Sequence, residues 1–145
     1  GDVADTAYCR LLQTATRADA RIRLRGRFAA TDIGRVLCNA DILVIPSLWD
    51  ENTPLVLLQA IAHRCPVLVS DVPGLLEPMR RELDGWAFRR NDARDLAAFL
   101  RRLAADPACL ARVRSGHAAI RSVDDHVADL LTLYDAGGGA MAIRP

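Results

Sequence analysis

Two continuous apolar runs, separated by one segment of helix length, constrain the fold of this chain more than any other feature. The runs are "DILVIP" at 41–46 and "PVLVS" at 66–70. Each is short, rich in branched residues and without polar alternation, as is typical of a strand buried on both faces. The segment between them predicts a helix over 54–63, with Thr53 as its N-cap and Pro54 as its first residue. A strand, a helix and a strand in this order predict a right-handed crossover and a parallel sheet.

The rest of the chain continues the same alternation. "RIRLRG" at 21–26 alternates and "GWAF" at 85–88 is short and apolar, so both are predicted strands, with Trp86 as a packing residue. Apolar residues at helical spacing predict further helices over 3–18, from Thr31 or Asp32 through Cys38, and over 75–82, 92–105, 107–120 and 123–134. The predicted class is α/β: a Rossmann-like, doubly wound parallel sheet with flanking helices in one domain of 1–135, followed by a disordered tail of 136–145.

Composition excludes several classes of function. A chain of 145 residues that is 51% hydrophobic is long and apolar enough for one ordered domain. The net charge of +1 gives no basic surface for nucleic acid or lipid. All 19 basic residues are arginine, which excludes a Schiff-base or P-loop lysine within the chain. No apolar run could span a bilayer and no signal peptide is recognisable, so a cytoplasmic location is expected.

The cysteines and histidines do not have the spacing of a metal site. No pair of cysteines has CxxC spacing, and the three histidines are scattered. We therefore expect no metal, no cofactor and a reducing compartment. Buried free thiols are favoured over disulfides or metal ligands at Cys9, Cys38, Cys65 and Cys109. Surface or capping roles are favoured at His63, His117 and His126.

The loop "PSLWDENTP" at 46–54 leads from a predicted strand into the start of a helix, where doubly wound folds bind their ligands. The first backbone N–H groups of that helix, at Leu55, Val56 and Leu57, form an anion site suited to a diphosphate. Glu51 can accept hydrogen bonds from sugar hydroxyls, and Gln59 can reach a ribose diol. The simpler alternatives, a solvated loop acid and a surface amide, stay open on spacing alone.

Trp49 lies in the same loop and has two interpretations. It can stack on a sugar or a base, or it can be a structural wedge beside the site.

The segment "ADILVIPSLWDENTPLVLLQAIAHRCPVLVSDVPGLLE" resembles the donor-binding core of the retaining glycosyltransferases of family 4, which have the GT-B fold. It matches the "PS.W.EN.P" turn of that family, the passage from helix to strand that follows, and a "GG..E" turn. "RLRGRF" and "LDGWAF" are similar to the strands on either side, so the resemblance covers most of residues 1–135. It implies half of a GT-B fold, the carboxyl-terminal domain.

The resemblance also implies roles for individual residues. Glu51 corresponds to the catalytic acid that contacts the transferred sugar, and Gln59 to the residue that binds the nucleotide ribose. Arg27 and Phe28 fall on the loop near the nucleobase. The remaining donor-binding positions implied are Asn52, Thr53, Pro54, Leu55, Gly74 and Glu77.

Three residues depart from the pattern of that family. Gln59 stands where the family has a carboxylate, and a charged acceptor is worth roughly twice a neutral one. Arg64 replaces the glycine that ends the helix, where a left-handed backbone costs a non-glycine residue about 1 kcal/mol or more. Pro73 replaces the first glycine of the "GG" turn and limits how that backbone can approach a ligand.

The resemblance implies a nucleotide-diphosphate sugar as ligand and a further, amino-terminal acceptor domain as partner. Through that domain the protein would lie at the inner membrane.

The first strands of the family's domain and its basic pair are not matched. We therefore expect a partial domain that is inactive alone. The 42–46 strand is then an unpaired edge, covered by residues 22–25 or by self-association with another chain.

Two other functions are compatible with the same residues. One is a non-catalytic, degenerate α/β module for nucleotide binding or interaction, which Gln59 favours. The other is a GT-B epimerase or phosphorylase. The intact "WDENTP" stretch favours the glycosyltransferase.

Overall fold

A computed structural model of the chain describes residues 6–79, 84–116 and 122–137. The strands are β1 (Leu43–Ile45), β2 (Val67–Ser70) and β3 (Gly85–Phe88). The helices are α1 (Thr6–Thr16), α2 (Ile33–Cys38), α3 (Leu55–Ala62), α4 (Pro73–Leu76), α5 (Ala93–Ala105), α6 (Pro107–Gly116) and α7 (Val123–Gly137). A single 3-10 turn, Ala30–Asp32, precedes α2.

The strands form a parallel sheet in the order β1-β2-β3. Val44 lies opposite Leu68, and Leu68 lies opposite Trp86. The predicted α/β class and the parallel neighbourhood of the two apolar runs are therefore confirmed.

The sheet carries a core on each face, because successive side chains of β2 point in opposite directions. Val67 and Val69 pack with Leu37, Leu57 and Leu75 from α2, α3 and α4. On the other face, Leu68 packs against β3, α5 and α6, through Trp86, Phe88, Leu103 and Val113. The core role predicted for Trp86 is confirmed, and the sheet is covered on both sides as the lack of polar alternation indicated.

The strand predicted at 21–26 is wrong. This segment forms no strand, all its residues are exposed, and Ile22 and Leu24 are about half accessible to solvent. Alternating residues become a strand only when a neighbouring strand completes the backbone hydrogen bonds and a core takes up the apolar face. Within the described ranges, β2 is the only strand that pairs with β1, so residues 22–25 do not cover its outer edge.

Several helix boundaries also differ from the sequence-based expectation. The helix predicted at 75–82 occupies Pro73–Leu76, and α3 begins at Leu55, one residue later than predicted. Pro54, with an extended backbone, is the N-cap, and Thr53 does not cap the helix. α7 continues to Gly137, two residues into the predicted tail. Residues 1–5, 80–83, 117–121 and 138–145, and with them His117, lie outside the described residues.

The end of α3 has the left-handed residue that the family resemblance implies. Arg64 has φ +56°, and it follows the C-cap residue His63. The N–H of Cys65 donates to the carbonyl of Ala60 at 2.8 Å, and that of Arg64 to Ile61 at 3.0 Å. These two bonds are those of a Schellman motif, which turns the chain from α3 towards β2.

The cysteines are free thiols, but only Cys65 is buried. Cys38 is exposed, whereas Cys9 and Cys109 are partly buried, so the expectation of four buried thiols is wrong for three of them. The reason is that α1 buries none of its residues, while α2 and α6 each bury one other side chain. No group of metal-ligating side chains occurs in the described ranges. Nor do those ranges hold a helix long and apolar enough to cross a bilayer.

Candidate functional site

The loop of residues 46–54 starts at the carboxyl end of β1 and is fastened to the adjacent end of β2. Ser70, the last residue of β2, donates its hydroxyl to the carbonyl oxygen of Ser47 at 2.8 Å. Both serines are shielded, with 1% of Ser70 and 9% of Ser47 accessible to solvent. A buried hydrogen bond of this kind fixes the beginning of the loop relative to the sheet.

Glu51 is held at one of its two carboxylate oxygens. The hydroxyl of Ser47 donates to Oε1 of Glu51 at 2.6 Å. No described residue donates to Oε2. Glu51 itself is only partly buried. One oxygen is therefore engaged by the protein, and the second is available to accept a hydrogen bond from a ligand.

Gly74, in α4, packs directly beneath this loop. A Cβ atom built on Gly74 would lie 1.8 Å from the carbonyl oxygen of Glu51 and 3.2 Å from the nitrogen of Thr53. Any other residue would collide with the main chain there, so the close approach requires glycine. The structure thus brings together three of the predicted site residues, Glu51, Thr53 and Gly74.

The start of α3 offers fewer free donors than the sequence predicts. The N–H of Leu57 donates to the carbonyl of Pro54 at 2.9 Å, so this group is not available. Among the described residues, the N–H groups of Leu55 and Val56 have no acceptor. Thr53, just before the helix, has φ +26°, a conformation that a β-branched residue adopts only under local constraint. Of the three backbone donors predicted for an anion site, two are therefore free.

The other predicted donor-binding residues surround this centre less closely. Gln59 lies one turn after Leu55 on the exposed face of α3, and Asn52 is exposed in the loop. Glu77 is exposed at the end of α4. Arg27 and Phe28 lie in an exposed segment before the 3-10 turn. These two residues take no part in the contacts among Glu51, Ser47 and Gly74.

Sequence reasoning missed the residues that hold the loop in place. Ser47 and Ser70 carry the hydrogen bonds described above. The four-residue spacing between Ser47 and Glu51 was the signal that could have shown the hydrogen bond between these two side chains.

Arg90, after β3, donates a side-chain N–H to Asp50 at 2.9 Å and its backbone N–H to Asp71 at 2.6 Å. The three loops at the carboxyl edge of the sheet are joined in this way. Exposed pairs of this kind contribute little stability, so their effect is on geometry.

Trp49 is not a structural wedge. It is 67% accessible to solvent at the tip of the loop. An apolar groove of about 560 Å³ lies elsewhere, at the amino end of β1 between α5 and α6. Its walls are carbon-rich, so it does not suit a charged nucleotide.

Residues 1–106 match the model of the family described as glycosyl transferases group 1. The chain belongs to this family. It is 34% identical over 117 residues to a D-inositol 3-phosphate glycosyltransferase of Salinispora tropica, and the aligned region covers 79% of this chain and 24% of that relative. It is 36% identical over 87 residues to the amylovoran biosynthesis glycosyltransferase AmsK of Erwinia amylovora, covering 57% of this chain and 21% of the relative. This group 1 chain thus spans about a fifth of the length of the curated relatives it matches.

Solved structures show the fold of this group 1 glycosyltransferase chain. HepE of Anabaena in complex with UDP-glucose superposes with a TM-score of 0.75 at 17% identity, over 90% of this chain and 38% of HepE. The C-terminal domain of the group 1 protein LpcC of Francisella tularensis gives 0.68 at 20% identity, over 78% of this chain and 60% of that domain. The fold matches GT-B glycosyltransferase structures, as the sequence resemblance implied. The family match does not favour the alternative of a non-catalytic module.

Proposed function

We propose that this chain is the donor-binding domain of a retaining family 4 glycosyltransferase that uses a nucleotide-diphosphate sugar. The observation that carries the proposal is the meeting of Glu51, Gly74 and the start of α3 at the carboxyl edge of the sheet. An oriented carboxylate and two free backbone donors are groups that a sugar diphosphate requires, and Gly74 supports the loop that carries the carboxylate.

Each group has a separate task in the proposed reaction. The N–H groups of Leu55 and Val56 and the positive end of the α3 dipole bind the diphosphate. They also stabilise the charge that develops on its oxygen as the bond to the anomeric carbon breaks. Oε2 of Glu51 accepts a hydrogen bond from the transferred sugar, and Gln59 bonds the ribose. Retention of configuration rests on the resemblance to family 4.

A uridine nucleotide is the donor that we would test first. HepE is described in complex with UDP and with UDP-glucose, and one relative in Escherichia coli is named for a UDP-Gal donor. The acceptor would be held by a further domain, since GT-B enzymes bind their two substrates between two domains in the family that this sequence resembles. Association with the inner membrane would depend on that domain.

Titration calorimetry of the full-length gene product tests this function. We expect UDP and a UDP-sugar to bind, with the UDP-sugar bound more tightly than UDP. We expect Glu51→Gln to remove most of that difference while leaving the affinity for UDP nearly unchanged. Asp124→Asn, an exposed acid in the first turn of α7, is the matched control and should behave as wild type. Failure to bind any nucleoside diphosphate or its sugar would refute the proposal.

Turnover separates the enzyme from the non-catalytic alternative. The full-length gene product should release UDP from a UDP-sugar in the presence of acceptor, whereas the 145-residue chain alone should not. Binding without release in the full-length protein would support a degenerate binding module. Turnover by the 145-residue chain alone would show that no further domain is needed.

A further inference from the structure

We infer that Ser47 is a positioning residue for Glu51: it holds Oε1 so that Oε2 faces the sugar of the donor. The inference rests on the proposed function and adds a residue to it. Its basis is the pair of hydrogen bonds from Ser70 to Ser47 and from Ser47 to Glu51.

The bond between Ser47 and Glu51 is short and directional. Its O···O separation of 2.6 Å is in the range of a hydroxyl that donates to a charged carboxylate. A serine hydroxyl has one proton, and here that proton is directed to Oε1. Because Ser47 is almost buried, water competes poorly for that oxygen, so the carboxylate is kept in one orientation.

The position of Ser47 is set in turn by the sheet. Ser70 is fully buried at the end of β2, the central strand, and its hydroxyl holds the Ser47 main chain. The position of Ser70 is fixed because β2 pairs with a strand on each side. A rigid strand therefore determines where a flexible glutamate side chain points. Pre-organisation of this kind lowers the conformational entropy that the acid loses when the sugar binds.

The hydroxyl of Ser47 is separable from the support of the loop backbone. Gly74 packs against the main chain at Glu51, and Ser70 bonds to the main chain at Ser47, so neither contact uses the Ser47 side chain. Ser47→Ala should consequently leave the loop in place and release only the carboxylate. The N–H groups of α3, which bind the diphosphate in the proposed function, are not affected.

The test compares nucleotide binding with sugar recognition in the full-length gene product. The variants are Ser47→Ala and Ser47→Thr, with Ser115→Ala as control, because the Ser115 hydroxyl bonds only to its own helix α6 at the Arg112 carbonyl. UDP and UDP-glucose are titrated by calorimetry. The kcat and KM are those for release of UDP, in the presence of acceptor, from the UDP-sugar that the wild-type protein turns over. Thermal unfolding monitors the fold.

We expect Ser47→Ala to bind UDP within about twofold of wild type, to lose the extra affinity for the sugar nucleotide, and to lower kcat by roughly tenfold or more. Ser47→Thr, which keeps the hydroxyl, should recover most of the kcat. Unchanged kcat and sugar affinity in Ser47→Ala would overturn the inference. So would an equal loss for UDP and UDP-glucose, which would indicate a structural role.

Two further results test the inference if Ser47→Ala does not fold and separate it from the proposed function. If Ser47→Ala does not fold, Ser47→Cys, which is similar in size and a weaker donor, should show the same loss in smaller measure, and wild-type behaviour there would overturn the inference. A wild-type protein that binds neither UDP nor a UDP-sugar contradicts the proposed function itself. A wild-type protein that binds both, with a Ser47→Ala variant indistinguishable from it, contradicts only the role of Ser47.

Discussion

The α carbon of Gly74 lies against the main chain at Glu51, so closely that a Cβ atom on Gly74 would be 1.8 Å from the Glu51 carbonyl oxygen. A helix that follows β2 therefore supports the loop that follows β1. The acid of the candidate site is held from two sides: its backbone by Gly74 and its carboxylate by Ser47.

Gly74→Ala should displace the loop and weaken the site. The new methyl group collides with main-chain atoms that cannot rotate away, so we expect a loss of about 2–3 kcal/mol in the free energy of unfolding, in the upper part of the usual range for overpacking. Affinity for a nucleotide sugar should fall as well. Gly26→Ala is the control for stability: Gly26 has φ +71° with no atom near its Cβ position, so only backbone strain of about 1 kcal/mol is expected. Equal losses in the two variants by urea denaturation would contradict the contact.

Gln59→Glu should tighten the binding of a nucleoside diphosphate. A carboxylate accepts a stronger hydrogen bond from a ribose diol than an amide does, and the expected gain is about 1 kcal/mol. Ala62→Glu, which adds the same charge further along the exposed face of α3, should give no gain. Unchanged affinity of a folded Gln59→Glu variant in calorimetry would mean that Gln59 does not contact the donor.

Arg64→Gly should stabilise the chain. Arg64 has the left-handed backbone of the Schellman motif, and glycine adopts that conformation without steric strain, so we expect a gain of about 1 kcal/mol in the free energy of unfolding. Arg64→Ala removes the same side chain and keeps the strain. Denaturant unfolding that ranks the two variants equally would show that the backbone conformation is not the cause.

The thiol of Cys65 should resist alkylation at a pH where Cys38 reacts. Burial raises the pKa of the Cys65 thiol, and the nearby Arg114 guanidinium offsets that rise only in part. Iodoacetamide at pH 8, followed by mass spectrometry, should label exposed Cys38 first and Cys65 only after unfolding. Early labelling of Cys65 in the folded chain would contradict its burial.

The same raised pKa makes stability depend on pH in a known direction. The folded state holds the Cys65 proton more tightly, so its contribution is complete below the unfolded thiol pKa of about 8.5 and is lost as pH rises from there through the folded pKa. The free energy of unfolding should therefore decline above pH 8.5, and it should decline less in Cys65→Ala. Identical slopes in the two proteins would exclude Cys65 as the source.

The outer edge of β1 should make the 145-residue chain self-associate. Leu43 directs its N–H to Pro66 of the next segment at 2.8 Å, so by alternation Val44 directs its N–H outward. Sedimentation equilibrium should show a dimer, and Val44→Pro should shift it to monomer because the outward N–H is lost. A wild-type chain that stays monomeric at high concentration would contradict this prediction.

Local patterns in the sequence determined most of the elements of the fold. The two apolar runs gave β1 and β2, because strands buried on both faces need apolar residues at every position. The helix predicted over 92–105 was found at Ala93–Ala105, where Asp92 caps the start by accepting hydrogen bonds from the N–H groups of Arg94 and Asp95 at 3.0 and 2.9 Å. The left-handed turn at Arg64 was implied by the resemblance, because a glycine ends this helix in the family that the sequence resembles. These signals lie within a few residues of the structure that they specify.

Only the tertiary structure decided the geometry of the candidate site. The bond from Ser70 to Ser47 joins residues 23 positions apart, and the contact of Gly74 with Glu51 joins a helix and a loop that no local pattern relates. The segment at 21–26 shows the converse: its alternation is that of a strand, yet it forms none, because strand formation requires a partner strand and a core beside it. The periodicity of the sequence indicates which residues can be buried. Contacts between distant segments depend instead on how those segments pack, and packing is a property of the whole chain.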